Sequence, residues 1–343
     1  MACSLAGRQY SSISSLCLRN ALSAALSGDG SVTSLYHWIF FLLSVALLPV
    51  LVLGTIRKTK ARLQNRIGPP LWQPFYDLVK LAHKGETLSL TMCGVFRLSS
   101  IVVFADILVL AWLTPWLCFK PWAPEANIFM LVYLFALARM FTLLGSLDSG
   151  SAFGAFSASR EATLGLLVEP AVLLALVALG IFFGSSDLRV IFSLSSVSTF
   201  VSSAIWIAAG LAIFFSSLVE LSRMPVDDPT THLELTMIHE AMILEASGRN
   251  LALIEFAHAL KMCILFGLAS QCFLRAIPQF STFNIYAQAG LNIAGLLGLA
   301  MFVGLLESLT VKLQWRKVPE FIAYILSLSL IASFTAIGIG AIK

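Results

Sequence analysis

Charged residues are scarce in this sequence. Asp, Glu, Lys and Arg make up only 12% of its 343 residues, whereas a soluble domain carries about 25%. Hydrophobic residues make up 58%, and the mean hydropathy is +0.90. The length alone would allow two soluble domains, but this deficit of charge argues against them and predicts one helical bundle in lipid.

Sequence motifs for metal binding are also missing. No CxxC pair or HExxH motif occurs, and no cysteine lies near a histidine at the spacing of metal ligands. We therefore expect no metal and no other cofactor in this chain, so any iron–sulfur cluster would lie on a partner subunit. The six cysteines are interpreted as small apolar residues of helices: Cys3, Cys17, Cys93, Cys118, Cys263 and Cys272.

What the sequence does contain is a series of long apolar runs. A bilayer core requires about 20 apolar residues per helix. Runs of that length fall at about residues 36–56, 98–118, 127–146, 162–184, 200–220, 251–274, 289–308 and 319–341. They are too long for strands and do not alternate. The sequence predicts an all-α polytopic membrane bundle of about eight transmembrane helices, with residues 35–343 as a single domain.

Lys and Arg are distributed unequally between the loops. Fourteen of the 22 fall in the loops after spans 1, 3, 5 and 7, and six fall on the other side. The positive-inside rule places those four loops in the cytoplasm and both termini on the outer side of the inner membrane. The excess of basic residues is thus explained by the membrane topology and does not indicate a nucleic-acid partner.

Residues 1–34 differ from the rest of the chain. They are rich in Ser and contain Arg8 and Arg19, with no acid before Asp29. A weak transit peptide would have this composition, but an uninterrupted apolar core is missing. A flexible extension and a misassigned start remain as alternatives, and we predict a flexible N-terminal extension.

Several ionisable residues lie inside the apolar runs or at their ends. A charge at the bilayer centre costs roughly 2.5–3.5 kcal/mol on insertion scales, so such residues are candidates for function. For Glu220, Glu255 and Glu307, near span ends, snorkelling to the interface is an equally good explanation. The predicted proton path combines these residues with acids of the loop after span 5: Asp106, Arg139, Glu169, Glu220, Asp227, Glu234, Glu245, Glu255, His258, Lys261 and Glu307.

The depth of these residues predicts the shape of the path. At 1.5 Å per residue, Asp106 and Glu169 lie on the order of 12 Å from the cytoplasmic ends of their helices. Arg139 lies at a similar depth, and Lys261 lies near the midplane. Because all of these groups fall in the cytoplasmic half, we predict a half-channel from which protons leave sideways toward a partner. Pro170, directly after Glu169, removes a helical hydrogen bond and could admit water there.

The loop after span 1 predicts a helix along the membrane surface. Gly68-Pro69-Pro70 ends any preceding helix. From Leu71 to Lys84 the apolar residues fall near helical period, as in an amphipathic surface helix. A basic topology anchor would explain the charge of this loop but would not require the Gly-Pro-Pro break.

The loop after span 5 is unusually acidic. Glu234 and Glu245 are eleven positions apart, so on a continuous helix they would project from one face. A solvated acidic loop, a funnel that feeds Glu220 and a partner-docking surface are the three interpretations left open.

Three segments resemble the subunit 1 family of proton-pumping NADH dehydrogenases. They are ARLQNRIGPPLWQPFYDLVKL (61–81), LDSGSAFGAFSASREATLGLLVEP (147–170) and ELSRMPVDDP…LEL…EASG (220–248). The resemblance covers nearly the whole chain from about residue 36 and includes the eight-helix count. Within the family the sequence is more similar to the membrane subunit of group 4 hydrogenases, typified by formate hydrogenlyase. The reason is that GPPLWQP runs on without the insertion found in respiratory subunits.

The resemblance implies a non-catalytic subunit that anchors a peripheral redox arm and conducts protons toward antiporter-like membrane subunits. It implies hydrogenase large and small subunits and an iron–sulfur subunit as further partners. The nickel–iron site and the iron–sulfur clusters would lie on those partners. The residues predicted to dock the redox arm are Arg57, Arg62, Arg66, Arg160, Glu161 and Arg223.

Two other functions stay open at this point. In a quinone-site subunit of an NADH:quinone oxidoreductase, the 61–84 segment would help to form a quinone tunnel. The missing insertion and the long spacing between Glu234 and Glu245 count against a quinone site. A stand-alone ion-coupled transporter is the second alternative, and the lack of internal repeats and of acids in the outer half counts against it. The sequence does not indicate the electron donor or whether sodium replaces protons.

Overall fold

The computed structural model describes residues 30–87, 92–117, 126–193, 200–227 and 237–340, and these form a helical bundle. Glu234 and most of the predicted flexible extension, up to residue 29, lie outside the described residues. The helices are α1 (Gly30–Leu63), α2 (Gln73–His83), α3 (Gly94–Leu113), α4 (Ile128–Asp148), α5 (Ala152–Phe183), α6 (Leu188–Ser193), α7 (Phe200–Glu220), α8 (His239–Met242), α9 (Gly248–Arg275), α10 (Ile285–Leu309) and α11 (Val318–Gly340), with 3-10 turns at Pro278–Thr282 and Trp315–Lys317.

Eight helices within the described residues are long and apolar enough to cross a membrane. They are α1, α3, α4, α5, α7, α9, α10 and α11, and each contains or overlaps one of the eight predicted runs. The prediction of an all-α polytopic bundle is therefore confirmed. We call the end of the bundle at which α2 lies the α2 end. Helices α1, α4, α7 and α10 finish there, while α3, α5, α9 and α11 begin there.

The predicted surface helix is present as α2. The chain turns after α1 at Gly68, whose φ of +71° lies in the left-handed region that glycine tolerates best. Pro74 then occupies the first turn of α2, where its missing N–H costs nothing. An ion pair of 3.1 Å between Arg57 and Asp77 ties α2 back to α1. Phe75 and other apolar side chains of α2 remain exposed, as expected for a helix at a membrane surface.

Helices α3 and α4 are joined at the α2 end by one carboxylate. Asp148, the last residue of α4, accepts hydrogen bonds of 3.0 Å from the backbone N–H groups of both Cys93 and Phe96. These groups have no partner within α3 because the first N–H groups of a helix lack one. Asp148 thus caps α3 from the neighbouring helix.

We expect Asp148→Ala to lower the free energy of unfolding by about 1 kcal/mol, the usual effect of losing a helix cap. Thermal unfolding of the purified chain in detergent measures this change. Glu245→Ala is the control, since that side chain is exposed at the same end of the bundle. Equal stability of the two variants would contradict the capping role.

Helix α7 ends inside the protein and not at its surface. The turn after Glu220 has Ser222 at a φ of +46°, and residues 221–227 are almost all buried. The backbone N–H of Leu313 donates a 2.8 Å hydrogen bond to the carbonyl of Pro225, which fixes this turn against the α10–α11 loop. The described parts of the chain between α7 and α9 are therefore folded into the α2 end of the bundle.

The expectation that Glu234 and Glu245 share one helix face is wrong for the described part of that loop. Helix α8 has only four residues, His239–Met242, and the chain turns immediately afterwards. Glu245 lies beyond this turn and is exposed. The carboxylate spacing had suggested a long helix because periodicity does not reveal that the chain turns directly after Met242.

The core of the bundle is apolar and draws side chains from all eight spanning helices. Leu176 on α5 and Phe266 on α9 are among its fully buried residues, as is Trp116 after α3. Large apolar side chains such as Leu42 and Tyr324 are instead exposed on the outer faces of α1 and α11. In a membrane these faces contact lipid, so the exposure does not indicate instability.

Candidate functional site

A cluster of four charged side chains lies in the middle of the bundle. The guanidinium of Arg139 on α4 is paired with the carboxylates of both Glu169 on α5 and Glu220 at the end of α7. Lys261 on α9 lies 2.6 Å from the second oxygen of Glu220. The Arg139 side chain, which both carboxylate pairs share, is only 7% exposed and thus shielded from solvent. Breaking one of them would leave an uncompensated buried charge.

A glycine makes room for this cluster. Gly165 lies on α5 between Glu161 and Glu169, and a Cβ built there overlaps the guanidinium of Arg139. The absence of a side chain at Gly165 therefore allows Arg139 to lie flat against α5.

Two further carboxyl groups adjoin the four. Glu161 is buried one turn before Gly165 and accepts a 3.4 Å hydrogen bond from the hydroxyl of Ser222. Asp106 on α3 is buried and interacts electrostatically with Lys261. Its Oδ2 atom accepts no hydrogen bond from the described protein groups. We call the resulting set of six residues the central cluster: Asp106, Arg139, Glu161, Glu169, Glu220 and Lys261.

The central cluster contains four carboxyl groups and two cations. If every group were ionised, the set would carry two excess negative charges in a poorly solvated interior, which is strongly unfavourable. The set is electrically neutral only when it holds two protons. Because the acids interact with the same cations, the protonation of each acid depends on that of the others. The arrangement is thus able to store protons and to pass them on.

A small cavity of about 40 Å³ lies against this cluster. It is lined by Arg139, Glu161, Glu220 and Lys261, and by His239 and His258. A cavity needs only about 10–15 Å³ of this kind to hold one water molecule with polar partners. There is therefore room for water between the acids, which proton transfer over more than one hydrogen bond requires.

A second set of ion pairs lies nearer to the α2 end. Glu307 on α10, whose side chain is only 2% exposed, is 3.2 Å from Arg223 and 3.5 Å from Lys60. Asp227 is 2.6 Å from Lys312 and also accepts a 2.8 Å hydrogen bond from the backbone N–H of Ile238. These pairs attach the buried loop between α7 and α9 to α1 and to the α10–α11 loop.

A large cavity of about 880 Å³ opens at the α2 end beside these pairs. Its walls come from helices α1, α8, α9 and α10, from the α1–α2 turn, and from the buried turn after α7. Ligand pockets of this size are mostly apolar, but the walls here carry many charged and ionisable groups, which suit water and ions. They are Arg57, Lys60, Arg66, Arg223, Asp227, His239, Glu240, Glu255, His258 and Glu307.

Comparison with known proteins shows which family this arrangement belongs to. The family model described as NADH dehydrogenase matches residues 36–337, which is nearly the whole chain. The chain belongs to the NADH dehydrogenase family. Two Escherichia coli (strain K12) relatives are similar to it. Hydrogenase-4 component C is 34% identical over 66% of this chain and 71% of the relative, and formate hydrogenlyase subunit 4 is 30% identical over 78% of this chain and 85% of the relative.

Two further comparisons agree with the family. An NADH-quinone oxidoreductase subunit of Rubrobacter xylanophilus is 31% identical over 69% of this chain and 72% of the relative. A chain of an archaeal respiratory complex, the membrane-bound sulfane sulfur reductase, has the same fold with a TM-score of 0.75. That likeness covers 89% of this chain and 99% of the other at 15% identity. The chain is thus a multi-pass membrane protein of a family with members in membrane-bound redox complexes.

The structure brings together five of the eleven residues that were predicted for a proton path. Asp106, Arg139, Glu169, Glu220 and Lys261 meet in the central cluster. The remaining described members do not join it: Asp227, Glu255, His258 and Glu307 line the large cavity, and Glu245 is exposed elsewhere. Glu234 lies outside the described residues.

Snorkelling is wrong as an explanation of Glu220 and Glu307. Both side chains are buried, and both are ion-paired with residues of other helices. Their position near the ends of apolar runs had suggested contact with the membrane interface. The end of an apolar run does not coincide with the protein surface here because residues 221–227, directly after α7, are folded inward.

The residues that were predicted to dock a redox arm divide into two groups. Arg57, Arg62 and Arg66 are exposed at the α2 end. Arg160 is half-buried, with its guanidinium 4.0 Å from the centre of the Phe156 ring. The other two predicted residues, Glu161 and Arg223, are buried and ion-paired or hydrogen-bonded inside the chain. We therefore correct their assignment from the docking surface to the interior.

Sequence reasoning missed four residues that complete the site. Lys60 and Lys312 were counted only as topological charges, yet they neutralise Glu307 and Asp227. Gly165 was not singled out, although its place midway between Glu161 and Glu169 in an apolar run is a usable signal. His239 was noted only as part of an acidic loop, and the structure places it between the two cavities.

Proposed function

We propose that this chain is the membrane-anchoring and proton-conducting adaptor subunit of a membrane-bound hydrogenase complex related to the NADH dehydrogenases. It couples a peripheral redox arm, attached at the α2 end, to proton translocation. The hydrogenase large and small subunits and an iron–sulfur subunit form that arm and carry the nickel–iron site and the iron–sulfur clusters. Antiporter-like membrane subunits lie beside it in the bilayer.

One observation carries this proposal: ionisable groups run without interruption from the large cavity into the middle of the bundle. The cavity is open at the α2 end and is lined by Glu255, Glu307 and the two histidines. The histidines also line the small cavity, which adjoins Glu220 and Lys261. Arg139 then connects Glu220 to Glu169 on α5. Buried ionisable groups in a membrane mark an ion or proton pathway.

The far end of this run supports a lateral exit toward a partner. The Glu169 side chain is 29% exposed, and its neighbour Leu166 on the outer face of α5 is 76% exposed. A carboxylate facing lipid near the middle of a spanning helix is costly. A membrane subunit packed on this face of α5 would remove that cost and accept the proton from Glu169.

The hydrogenase type is preferred to a quinone-site subunit for two reasons. The two Escherichia coli relatives are named as components of hydrogenase-4 and formate hydrogenlyase, and they cover most of this chain. In addition, charged groups such as Arg57, Arg66 and Glu240 line the large cavity, where a quinone tail would need an apolar wall. The cavity's size keeps the quinone-site function as the second candidate.

For the orientation we propose that the α2 end faces the cytoplasm and that both termini lie outside. Most Lys and Arg residues fall in the loops at this end, as the positive-inside rule requires. Labelling of single cysteines introduced at exposed positions such as Lys84 with a membrane-impermeant reagent in intact cells tests this. Labelling at the α2 end without permeabilisation would contradict it.

Purification of the native complex through a tag on this chain tests the proposed function. We expect copurification of several subunits together with nickel and iron in amounts comparable to the chain. A complex with iron but no nickel, and with quinone reductase activity, would favour the quinone-site function instead. Isolation of a functional monomer would contradict both and leave the ion-coupled transporter.

A further inference from the structure

Two histidines are stacked between the two cavities. His239 on α8 and His258 on α9 have ring centroids 4.2 Å apart and ring planes inclined by 28°. Both rings lie inside the protein because α8 is packed against α5 and α4. The accessible sides of the rings face the two cavities. The pair is a contact between the buried loop and a spanning helix and not a feature of the surface.

This pair is where the two cavities meet. Among the described residues, His239 and His258 are the two that line both the large cavity of about 880 Å³ and the small cavity of about 40 Å³. On one side the rings adjoin Glu240, Glu255 and Arg223. On the other side they adjoin the central cluster. Any proton that passes from one cavity to the other by the shortest route has to pass these rings.

The charges around the rings come from every element packed against them. Arg223 belongs to the loop after α7, Glu240 to α8, and Glu255 and Lys261 to α9; Glu161 of α5, Arg139 of α4 and Glu220 of α7 face the rings across the small cavity. Arg223 and Lys261 are the cations that act on His239. Both disfavour a long-lived positive charge on the His239 ring.

We propose that His239 and His258 form the proton-carrying partition between the large cavity and the central cluster, an inference that rests on the proposed proton-conducting function. A neutral imidazole binds a proton from a cavity water at one ring nitrogen, forming an N–H bond. It then releases the proton from its other ring nitrogen to water or a carboxylate of the small cavity, and exchange of the tautomer restores the ring. The two rings carry only one extra proton at a time, because two protonated rings stacked this closely would repel each other.

The neutral resting state is supported by the surroundings of His239. Burial, together with Lys261 and Arg223, lowers the pKa of His239 to about 4. At neutral pH the ring is therefore uncharged and can accept a proton only transiently. A group in this state passes protons on and does not trap them, whereas the central cluster stores them.

The test compares ring-preserving and ring-deleting variants in the intact complex. The complex is purified through a tag on this chain, reconstituted into liposomes containing a pH-sensitive dye, and driven with reduced methyl viologen. We expect His239→Phe and His258→Phe, which keep an aromatic ring but carry no proton, to lower coupled proton transport about 100-fold. In His239→Ala, added imidazole enters through the large cavity and restores transport. His83→Phe, an exposed histidine on α2, is the matched control.

The outcomes separate this inference from the proposed function. Normal transport in both Phe variants, with Glu169→Gln inactive in the same assay, overturns the histidine partition alone. Normal transport in Glu169→Gln as well overturns the proton-conducting function. Loss of transport in His239→Ala without rescue by imidazole assigns the pair a structural role and also overturns the inference. Subunit composition of each preparation shows that the complex has assembled, and where one Phe variant does not assemble, the other decides.

Discussion

Replacing Glu169 with Gln is expected to lower coupled proton transport by about 100-fold or more, the smaller end of what a positioned proton carrier contributes. Glu169 is the member of the central cluster that reaches the outer face of α5, so in the proposed path it is the last group of this chain before a neighbouring subunit. Gln keeps the size and the hydrogen-bonding capacity of the side chain but cannot bind the proton. Because Arg139 retains Glu220 as a partner, assembly should persist.

Proton uptake by reconstituted liposomes measures this effect, and the subunit composition of the purified complex measures assembly. Glu320→Gln is the control, since that carboxylate is exposed at the start of α11. Glu169→Asp should retain part of the transport because the acid is kept on a shorter side chain. Normal proton transport by a complex that carries Glu169→Gln would contradict the proposed lateral exit of protons through Glu169. Failure of this complex to assemble would show a structural role for Glu169.

Replacing Gly165 with Ala should also have a large effect on stability and on proton transport, although it adds only one methyl group. That methyl overlaps the guanidinium of Arg139, and α5 cannot move away because it is packed against α4 and α7. Arg139 must then leave at least one of its carboxylates. Breaking a buried ion pair on one side costs about 3–5 kcal/mol, so both stability and proton transport should fall.

Gly298→Ala provides a matched control for this variant. Gly298 is also a glycine inside a spanning helix, but a Cβ built there meets no atom within 4 Å. Alanine is the better helix former, so Gly298→Ala should be neutral or more stable by up to about 1 kcal/mol. Thermal unfolding of the two variants in detergent gives the comparison. If Gly165→Ala is as stable as Gly298→Ala, the space beside Arg139 is not required.

The helices were predictable from sequence for a simple physical reason. In a bilayer the backbone must satisfy its own hydrogen bonds, so each long apolar run has to be helical. Runs such as 98–118 and 289–308 therefore became α3 and α10 with shifts of only a few residues at their ends. The break at Gly68-Pro69-Pro70 and the helix that follows it were predictable because proline and glycine act locally.

The members of the site were also largely predictable, whereas their partners were not. A charge such as Arg139 in an apolar run stands out because it is costly there. Its pairing with both Glu169 and Glu220 depends on how α4, α5 and α7 pack, which no local pattern records. The same limitation explains why Lys60 and Lys312 were interpreted only as topological charges.

The acidic loop after α7 shows the limit most clearly. Its charge suggested a solvated segment or a surface for docking, and the spacing of its carboxylates suggested a long helix. The structure instead folds its described parts into the α2 end, with Arg223 paired to Glu307 and His239 stacked on His258. Charged residues can be buried there because each finds a partner from a distant part of the chain.

The sequence by itself determined that this protein is a multi-pass membrane protein, with eight helices long enough to span a membrane among its described residues, and that it buries charge between them. Both follow from the cost of exposing backbone and charge to lipid, which acts on each segment separately. Only the tertiary structure decided which charges neutralise one another, that residues 221–227 after α7 are internal, and that a histidine pair lies between two cavities. Those features depend on contacts between residues far apart in the chain, and such contacts form only when the helices pack.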